Sequence, residues 1–436
     1  MSGGGGGGGH FDVVVVGNGP IGSAVARHVA EAGASTLVID GRGSLTSASD
    51  DMGRIVRPLD AEGRQGWTQW NIASIDAFGA IEEAAGVKFF RRCGSLACGT
   101  PSFVEKPAAR LAEAGAAFEA LESGEAVAAR FPYLSVPDTH VAVSDSVGGF
   151  VDPQRMIQAQ NILMRKAGPD VNAVTLETAI EVSVTEGDGV VVETKQGGKY
   201  CGKVVVLAGG SYTAWLAASS GLTTISPPPV ANDESAKSVA AVQVTPNASS
   251  GVGSIRLSRR TVLLAEVTEV EAKGKLADMP TVKYQFAPPA DSSGDTNSHS
   301  RNEAMSVYVL PPIKYHGPDP PEGWYVKIGG GANDFFEREK WEDTVGDVDT
   351  WMASEGDEAV ADRLHEVLLA LMPRTNFLSL TPKPCITTCT DDGELQCDVL
   401  GGGSVLAVGG CQGKAAGPAD AIGKAVAAEV ARRLGD

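Results

Sequence analysis

Six residues near the start of the chain, Gly17-Asn18-Gly19-Pro20-Ile21-Gly22, have the types and spacing to hold a pair of phosphates. Gly17 permits a tight turn, Gly19 lets a pyrophosphate approach the backbone, and Gly22 allows a following helix to pack closely. Pro20 and Ile21 stand in the same phosphate-facing turn. A helix starting there would offer its partial positive charge and free amides to the phosphates. About 20 residues on, Asp40 can accept hydrogen bonds from ribose hydroxyls. Gly41 and Arg42 beside it belong to the same expected site. The chemistry is dinucleotide binding.

The flanking elements fit that use. Phe11 to Val16, with four consecutive valines, is apolar enough for a buried parallel strand. Ser23 to Ala32 has helical spacing, and Thr36 to Ile39 makes a second strand ending at Asp40. Further on, Asp152 caps and Pro153 opens a helix through about Lys166. Strands are expected over Glu177 to Thr185, Val190 to Thr194 and Lys203 to Leu207, the first two joined by the Glu186-Gly187-Asp188-Gly189 turn. A middle region of different texture starts at Pro227-Pro228-Pro229. It alternates strands (Ala240 to Val244, Val262 to Val267, Val282 to Phe286, Met305 to Leu310, Trp324 to Ile328) with polar loops, among them a mobile Asp291 to Ser300. That pattern predicts a mostly antiparallel sheet apart from the nucleotide-binding one. Asp357 caps an amphipathic helix over Glu358 to Leu371. The end is again strand, glycine pair and helix: Val405 to Val408, Gly409-Gly410, then a helix from about Pro418. The first fingerprint serves NAD and FAD alike. This second element suits FAD, whose isoalloxazine ring reaches away from the first turn toward other loops.

Bulk properties narrow the field. The chain has 436 residues and a formal charge of −18, which argues against nucleic acid, whose phosphates would be repelled. No apolar run approaches the roughly 18 residues a membrane span requires. Met1-Ser2 and seven glycines have neither the basic flank nor the apolar stretch of a secretory signal. The seven cysteines are an odd number, which favours reduced thiols in the cytoplasm. Cys385, Cys389 and Cys397 lie close together, but without CxxC pairs or a nearby histidine no metal site is expected.

Five segments resemble the D-amino-acid oxidase-like FAD oxidoreductases, and within them the monomeric sarcosine oxidase group, from Phe11 to the end. Gly53-Arg54-Ile55-Val56-Arg57 is similar to the family's Thr-Arg-Ile-Ile-Arg. The resemblance puts Arg54 over the flavin and Arg57 on the substrate carboxylate, which a guanidinium can grip with two hydrogen bonds. Lys203 to Trp215 resembles the strand and Ala-Gly-x-Trp turn beneath the flavin, with Gly209 at the cofactor and Val182 at the adenine side. Pro384-Cys385-Ile386-Thr387-Thr388-Cys389-Thr390-Asp391 looks like the segment whose cysteine carries covalent FAD, so the resemblance implies a thioether through Cys385. Thr387 replaces the family's frequent tyrosine there.

Tyr308-Val309-Leu310-Pro311 and Trp324-Tyr325-Val326-Lys327-Ile328-Gly329 resemble the substrate-sheet segments. They imply Tyr308 in the pocket and Lys327 beside the flavin, where a fixed ammonium would stabilise developing superoxide. The family commonly has histidine four residues after that lysine; Gly331 here makes room for a larger substrate. Gly409-Gly410-Cys411-Gln412-Gly413-Lys414 resembles the loop at the flavin's pyrimidine end, with Gly410, Gln412 and Gly413 at the cofactor and Lys414 facing both flavin and carboxylate.

The expectation is an α/β (α+β) fold: an FAD-binding Rossmann-like domain (residues 10–60, 145–225 and 375–436) with a mostly antiparallel substrate domain (61–144 and 226–374). The resemblance implies a monomeric FAD oxidase of a secondary amine or amino acid, with molecular oxygen as second substrate and hydrogen peroxide as product, and the cysteine count places it in the cytoplasm. Two other chemistries stay open: a flavin dehydrogenase passing electrons to a quinone or carrier protein, and oxidation of a 2-hydroxy acid. A non-enzymatic FAD-binding module fits poorly, because two arginines and two lysines would converge on the flavin.

Overall fold

The computed structural model describes residues 9–42, 45–60, 64–185, 187, 189–222, 252–286, 305–336 and 341–435. Pro227-Pro228-Pro229, the strand expected over Ala240 to Val244, the loop Asp291 to Ser300 and part of the Glu186-to-Gly189 turn lie outside them.

The valine run forms the strand Gly9–Val16, central to an eight-stranded sheet. It pairs in parallel with Thr36–Ile39 on one side and Lys199–Leu207 on the other. Val405–Gly409 and Ala173–Thr175 extend the parallel part at its two ends. Strand alternation divides the core. Val13, Val15, Val38, Val204, Val206 and Leu406 face four helices, Pro20–Glu31, Gln65–Ala85, Pro153–Ala167 and Ala419–Gly435. Val14, Val16, Leu37, Ile39 and Leu207 face the hairpin Ala179–Thr185/Gly189–Thr194 and the short helix Thr213–Ser219. The caps behave as their chemistry demands: Asp152 accepts from the amides of Gln154 and Arg155, and Asp357 from that of Val360.

A second sheet of nine strands is antiparallel except where Thr281–Phe286 meets Ser95–Gly99. Its centre is Arg256–Val267, Gly323–Gly330 and Met305–Tyr315. One face buries Leu263, Ala265, Val307, Val309, Val326 and Ile328 against the helix Glu358–Leu371. The register brings Lys283 opposite Tyr308, Tyr308 opposite Gly329, Gly329 opposite Val262, and Arg260 opposite Cys385. Because side chains alternate, Lys283, Tyr308, Lys327, Arg260 and Cys385 share the other face.

Leu380–Cys389, within the 375–436 segment expected in the FAD-binding domain, forms a strand that hydrogen-bonds to Arg256–Val267 in this second sheet. Pro382 and Pro384 are tolerated because it is an edge strand with one partner. A small third sheet, Arg54–Val56, Gly149–Val151 and Phe90–Arg92, carries the arginine motif. No helix of the described residues is long and apolar enough to cross a membrane.

Candidate active site

A cavity of about 800 Å³ runs from the carboxyl ends of the first sheet's parallel strands to the polar face of the second sheet. Ligands of doubly wound sheets bind at such strand ends. Gly17, at φ 104°, donates its amide to the Ile39 carbonyl at 2.8 Å, and a Cβ there would stand 2.5 Å from the Ala208 oxygen. A Cβ on Gly22 would lie 2.0 Å from the Gly17 oxygen, so this glycine serves helix packing and does not line the cavity. Gly19 is different: the nearest atom to its Cβ position is Ser49 Oγ at 4.0 Å. The helix begins at Pro20 with no side-chain cap. Open glycine and uncapped amides together fit a pyrophosphate. The chain thus has a cradle suited to FAD.

Asp40 is buried at the end of its strand. Its carboxylate accepts Arg42 Nε at 2.8 Å and NH2 at 2.6 Å, and Asn18 Nδ2 at 3.2 Å. Arg42 also reaches Gln154 Oε1 at 2.6 Å, and Gly41 lines the wall between them. Gly209 lines the cavity beside the Ala208 turn. Val182 does not: its side chain is buried in the sheet core and its amide donates to Ser220 Oγ at 2.9 Å.

The middle of the cavity is bounded by Gly53, Arg54, Tyr308 and Cys385. Arg54 NH1 donates to Asp51 Oδ2 at 2.9 Å, and its NH2 to the Ala48 carbonyl. Burial opposes its charge, but Asp51 outweighs that and keeps Arg54 firmly protonated. Burial pushes the Tyr308 hydroxyl well above the usual phenol range, with Cys385 adding to the effect, so Tyr308 stays neutral.

Lys327 lies outside the cavity lining. Its side chain is fully buried behind Gly53, where Nζ pairs with Asp51 and donates to the carbonyls of Met52 at 3.0 Å and Gly53 at 3.2 Å. Its place in the strand follows from the sequence; its partner does not.

At the other side, Arg57 lines the cavity and makes no hydrogen bond or ion pair among the described residues. Its charge reaches Asp145, a carboxylate that already accepts from Ser95, Val147 and Gly148. Lys414 lines the same cavity, but its ammonium sits 2.6 Å from the buried Asp60 carboxylate and 5.3 Å from the Trp67 ring centre. Gln412 and Gly413 line it too, whereas Gly410 does not, and a Cβ there would stand 2.5 Å from Thr390 Cγ2. The loop is tied to the second sheet: Gln412 N donates to the Thr388 carbonyl at 2.8 Å and Cys411 N to Thr388 Oγ1 at 3.1 Å. Asp51, Asp60, Arg260 and Lys283 are cavity or wall residues that sequence reasoning passed over. Asp51 could have been suspected from its position two residues before Gly53.

Comparison with known proteins agrees with this geometry. Residues 12–235 match the family model described as FAD dependent oxidoreductase. Monomeric sarcosine oxidase of Bacillus sp. (strain B-0618) is 27% identical over 205 residues, 46% of this chain and 51% of that protein. N-methyl-L-tryptophan oxidase of Yersinia pestis (strain Pestoides F) is 26% identical over 203 residues, 46% of this chain and 53% of that protein. The matches thus span about half the length of these curated relatives. The solved structure of NikD, described as an unusual amino acid oxidase essential for nikkomycin biosynthesis, shares the fold at 20% identity, with a TM-score of 0.66 over 97% of this chain and 94% of that one. With a family model matching more than half its length and a dinucleotide cradle at the start of that match, the chain belongs to the FAD-dependent oxidoreductase family.

Proposed function

We propose that the chain is an FAD-dependent oxidase of a secondary amine or amino acid. The observation that carries this reading is Arg57. Arg54 and Lys327 share Asp51, and Lys414 has Asp60, but Arg57 faces the cavity with no ion-pair partner among the described residues. A half-buried guanidinium with no direct ion-pair partner among the described residues is poised for a carboxylate from outside.

Bound FAD would supply a hydride acceptor for the carbon next to nitrogen and pass the electrons to oxygen, giving hydrogen peroxide. The chain's residues do the rest. The Gly17–Gly19 turn and the first helix would hold the pyrophosphate, and Asp40 the ribose. Cys385, on the cavity wall, would bind the flavin covalently. Arg57 orients the acid so that an unprotonated nitrogen and its neighbouring carbon face inward. Tyr308 closes the wall with a neutral hydroxyl, and Lys414, held by Asp60, lends charge at the far side. Water then hydrolyses the released imine. Lys327 would favour the oxygen reaction through its charge, acting from behind Gly53.

That same burial favours a second reading, a flavin dehydrogenase that hands electrons to a quinone or carrier protein. Peroxide formation under air separates the two. The primary test is a panel of secondary amines, D- and L-amino acids and 2-hydroxy acids, read by flavin bleaching without oxygen. Bleaching by 2-hydroxy acids alone would overturn the amine reading.

A further inference from the structure

The chain carries 54 acidic residues against 36 basic ones, yet its cavity has the opposite balance. Among the described lining residues are six cations, Arg42, Arg54, Arg57, Arg260, Lys283 and Lys414, and two carboxylates, Asp40 and Asp60. Those carboxylates are committed, Asp40 to Arg42 and Asp60 to Lys414, while Asp51 serves Arg54 from behind the wall. The pyrophosphate end has its own helix N-terminus. Arg57 and Arg260 therefore remain without a carboxylate partner among the described residues, on two different walls.

Arg57 follows the strand Arg54–Val56 of the small sheet. Arg260 stands on the polar face of the second sheet, opposite Cys385. Its NH1 donates to the carbonyls of Gly331 at 3.0 Å and Ala332 at 2.5 Å, and it has no carboxylate partner among the described residues. Those two bonds hold the guanidinium in place through one nitrogen only. Among the described residues Nε and NH2 have no hydrogen-bond partner, which leaves them for a bidentate acid.

One carboxylate on Arg57 leaves Arg260 without an anion. We propose that the substrate is a dicarboxylic amine: an amino or imino acid whose α-carboxylate meets Arg57 and whose second carboxylate meets Arg260. The inference rests on the amine-oxidase reading and narrows its substrate class.

The test uses the flavin-loaded protein and thioethers, in which sulfur replaces nitrogen so that no turnover occurs. Binding of (methylthio)acetate, with one acid, is compared with thiodiglycolate and its chain-lengthened homologues, with two, by the change in flavin absorbance on titration. At least one diacid should bind about tenfold or more tighter than the monoacid. Arg260→Gln should bring that ratio close to one, and Arg260→Lys should keep part of it. The ratio is internal to each variant, so a general loosening of the site does not imitate the result. Equal binding of mono- and diacids in the wild type, both weakened by Arg57→Ala, would overturn the inference and leave the amine-acid reading standing. A diacid preference that survives Arg260→Gln would also overturn it. If neither acid responds to Arg57→Ala, the carboxylate grip fails and the diacid proposal falls with it, leaving a plain amine as the substrate.

Discussion

Lys327 and Asp51, 276 residues apart, form an ion pair in the wall behind Gly53, and Arg54 shares the same carboxylate. The other oxygen of Asp51 accepts the Tyr315 hydroxyl at 3.1 Å. Burial opposes ionisation of Asp51, but the charges and hydrogen bonds of Lys327 and Arg54 outweigh it and bring its pKa down to about 2. For Lys327, burial and then the charge of Arg54 lower the pKa to about 8, although Asp51 pulls the other way. Two cations and one anion leave a net positive charge beside the cavity, with its size set by whether Lys327 holds its proton.

With its pKa lowered to about 8, the lysine holds that proton below about pH 8 and loses it above. If the ammonium assists reaction with oxygen, reoxidation of reduced flavin should slow as pH rises through about 8. Asp51→Asn removes the attraction that favours the charged lysine, so the fall should move to lower pH. Lys327→Met should slow reoxidation about 10²-fold or more, and reduction by substrate far less, the scale for removing one preorganised charge. Stopped-flow reoxidation across pH checks all three. A profile that stays flat in both wild type and Asp51→Asn would dismiss Lys327 from the oxygen step.

Cys385 lies on the cavity wall next to Arg54 and Tyr308, the setting proposed for a covalent flavin link. Acid precipitation of the native protein should leave a yellow pellet, and Cys385→Ala should send the flavin into the supernatant. Release from both would rule out the thioether while leaving FAD binding in place.

What was legible in the sequence was local chemistry. The valine strand, the glycine turn, the Asp152-Pro153 helix start and the Asp357 cap each depend on residues within a few positions of one another. The strands that carry Tyr308 and Lys327 were readable too, but the strand of Cys385 and the face that the three share emerge only from the register of the sheet. Their partners were not legible either. Asp60 meets Lys414 across 354 residues, and Asp51 meets Lys327 only because a loop of the arginine motif folds over the second sheet. The same limit hid the pairing of Leu380–Cys389: prolines and a family cysteine say nothing about which sheet edge a strand will join. Side-chain commitment, which decides whether a cation is free for substrate, exists only in three dimensions.

Gly53 allows a direct test of the wall that hides Lys327. Its φ is 73°, and a Cβ would lie 2.3 Å from Ile313 Cδ1 and 3.1 Å from Leu310 Cδ2. Gly53→Ala should cost about 2–4 kcal/mol in urea unfolding, combining left-handed strain with overpacking. Gly33 is the control: at φ 94° it has nothing within 4 Å of its Cβ position. Gly33→Ala should show the strain alone, about 1–2 kcal/mol. Equal losses at the two positions would mean that Ile313 and Leu310 move aside freely.

The last prediction concerns the substrate's acid group at Arg57. Arg57→Ala should weaken binding of the acid substrate by about 2–4 kcal/mol, the scale for truncating one partner of a desolvated charge pair. The side chain has no ion-pair partner among the described residues to be stranded by its loss, so the effect should fall on the ligand more than on the fold. A neutral amide analogue should bind the wild type poorly and lose little further in the variant, because the amide offers the guanidinium no charge to pair with. The coupling between ligand charge and Arg57 is the quantity to measure, by titrating both ligands against both proteins without oxygen. A merely structural arginine would penalise acid and amide alike. Equal losses would therefore end the carboxylate grip and make a plain amine the better substrate.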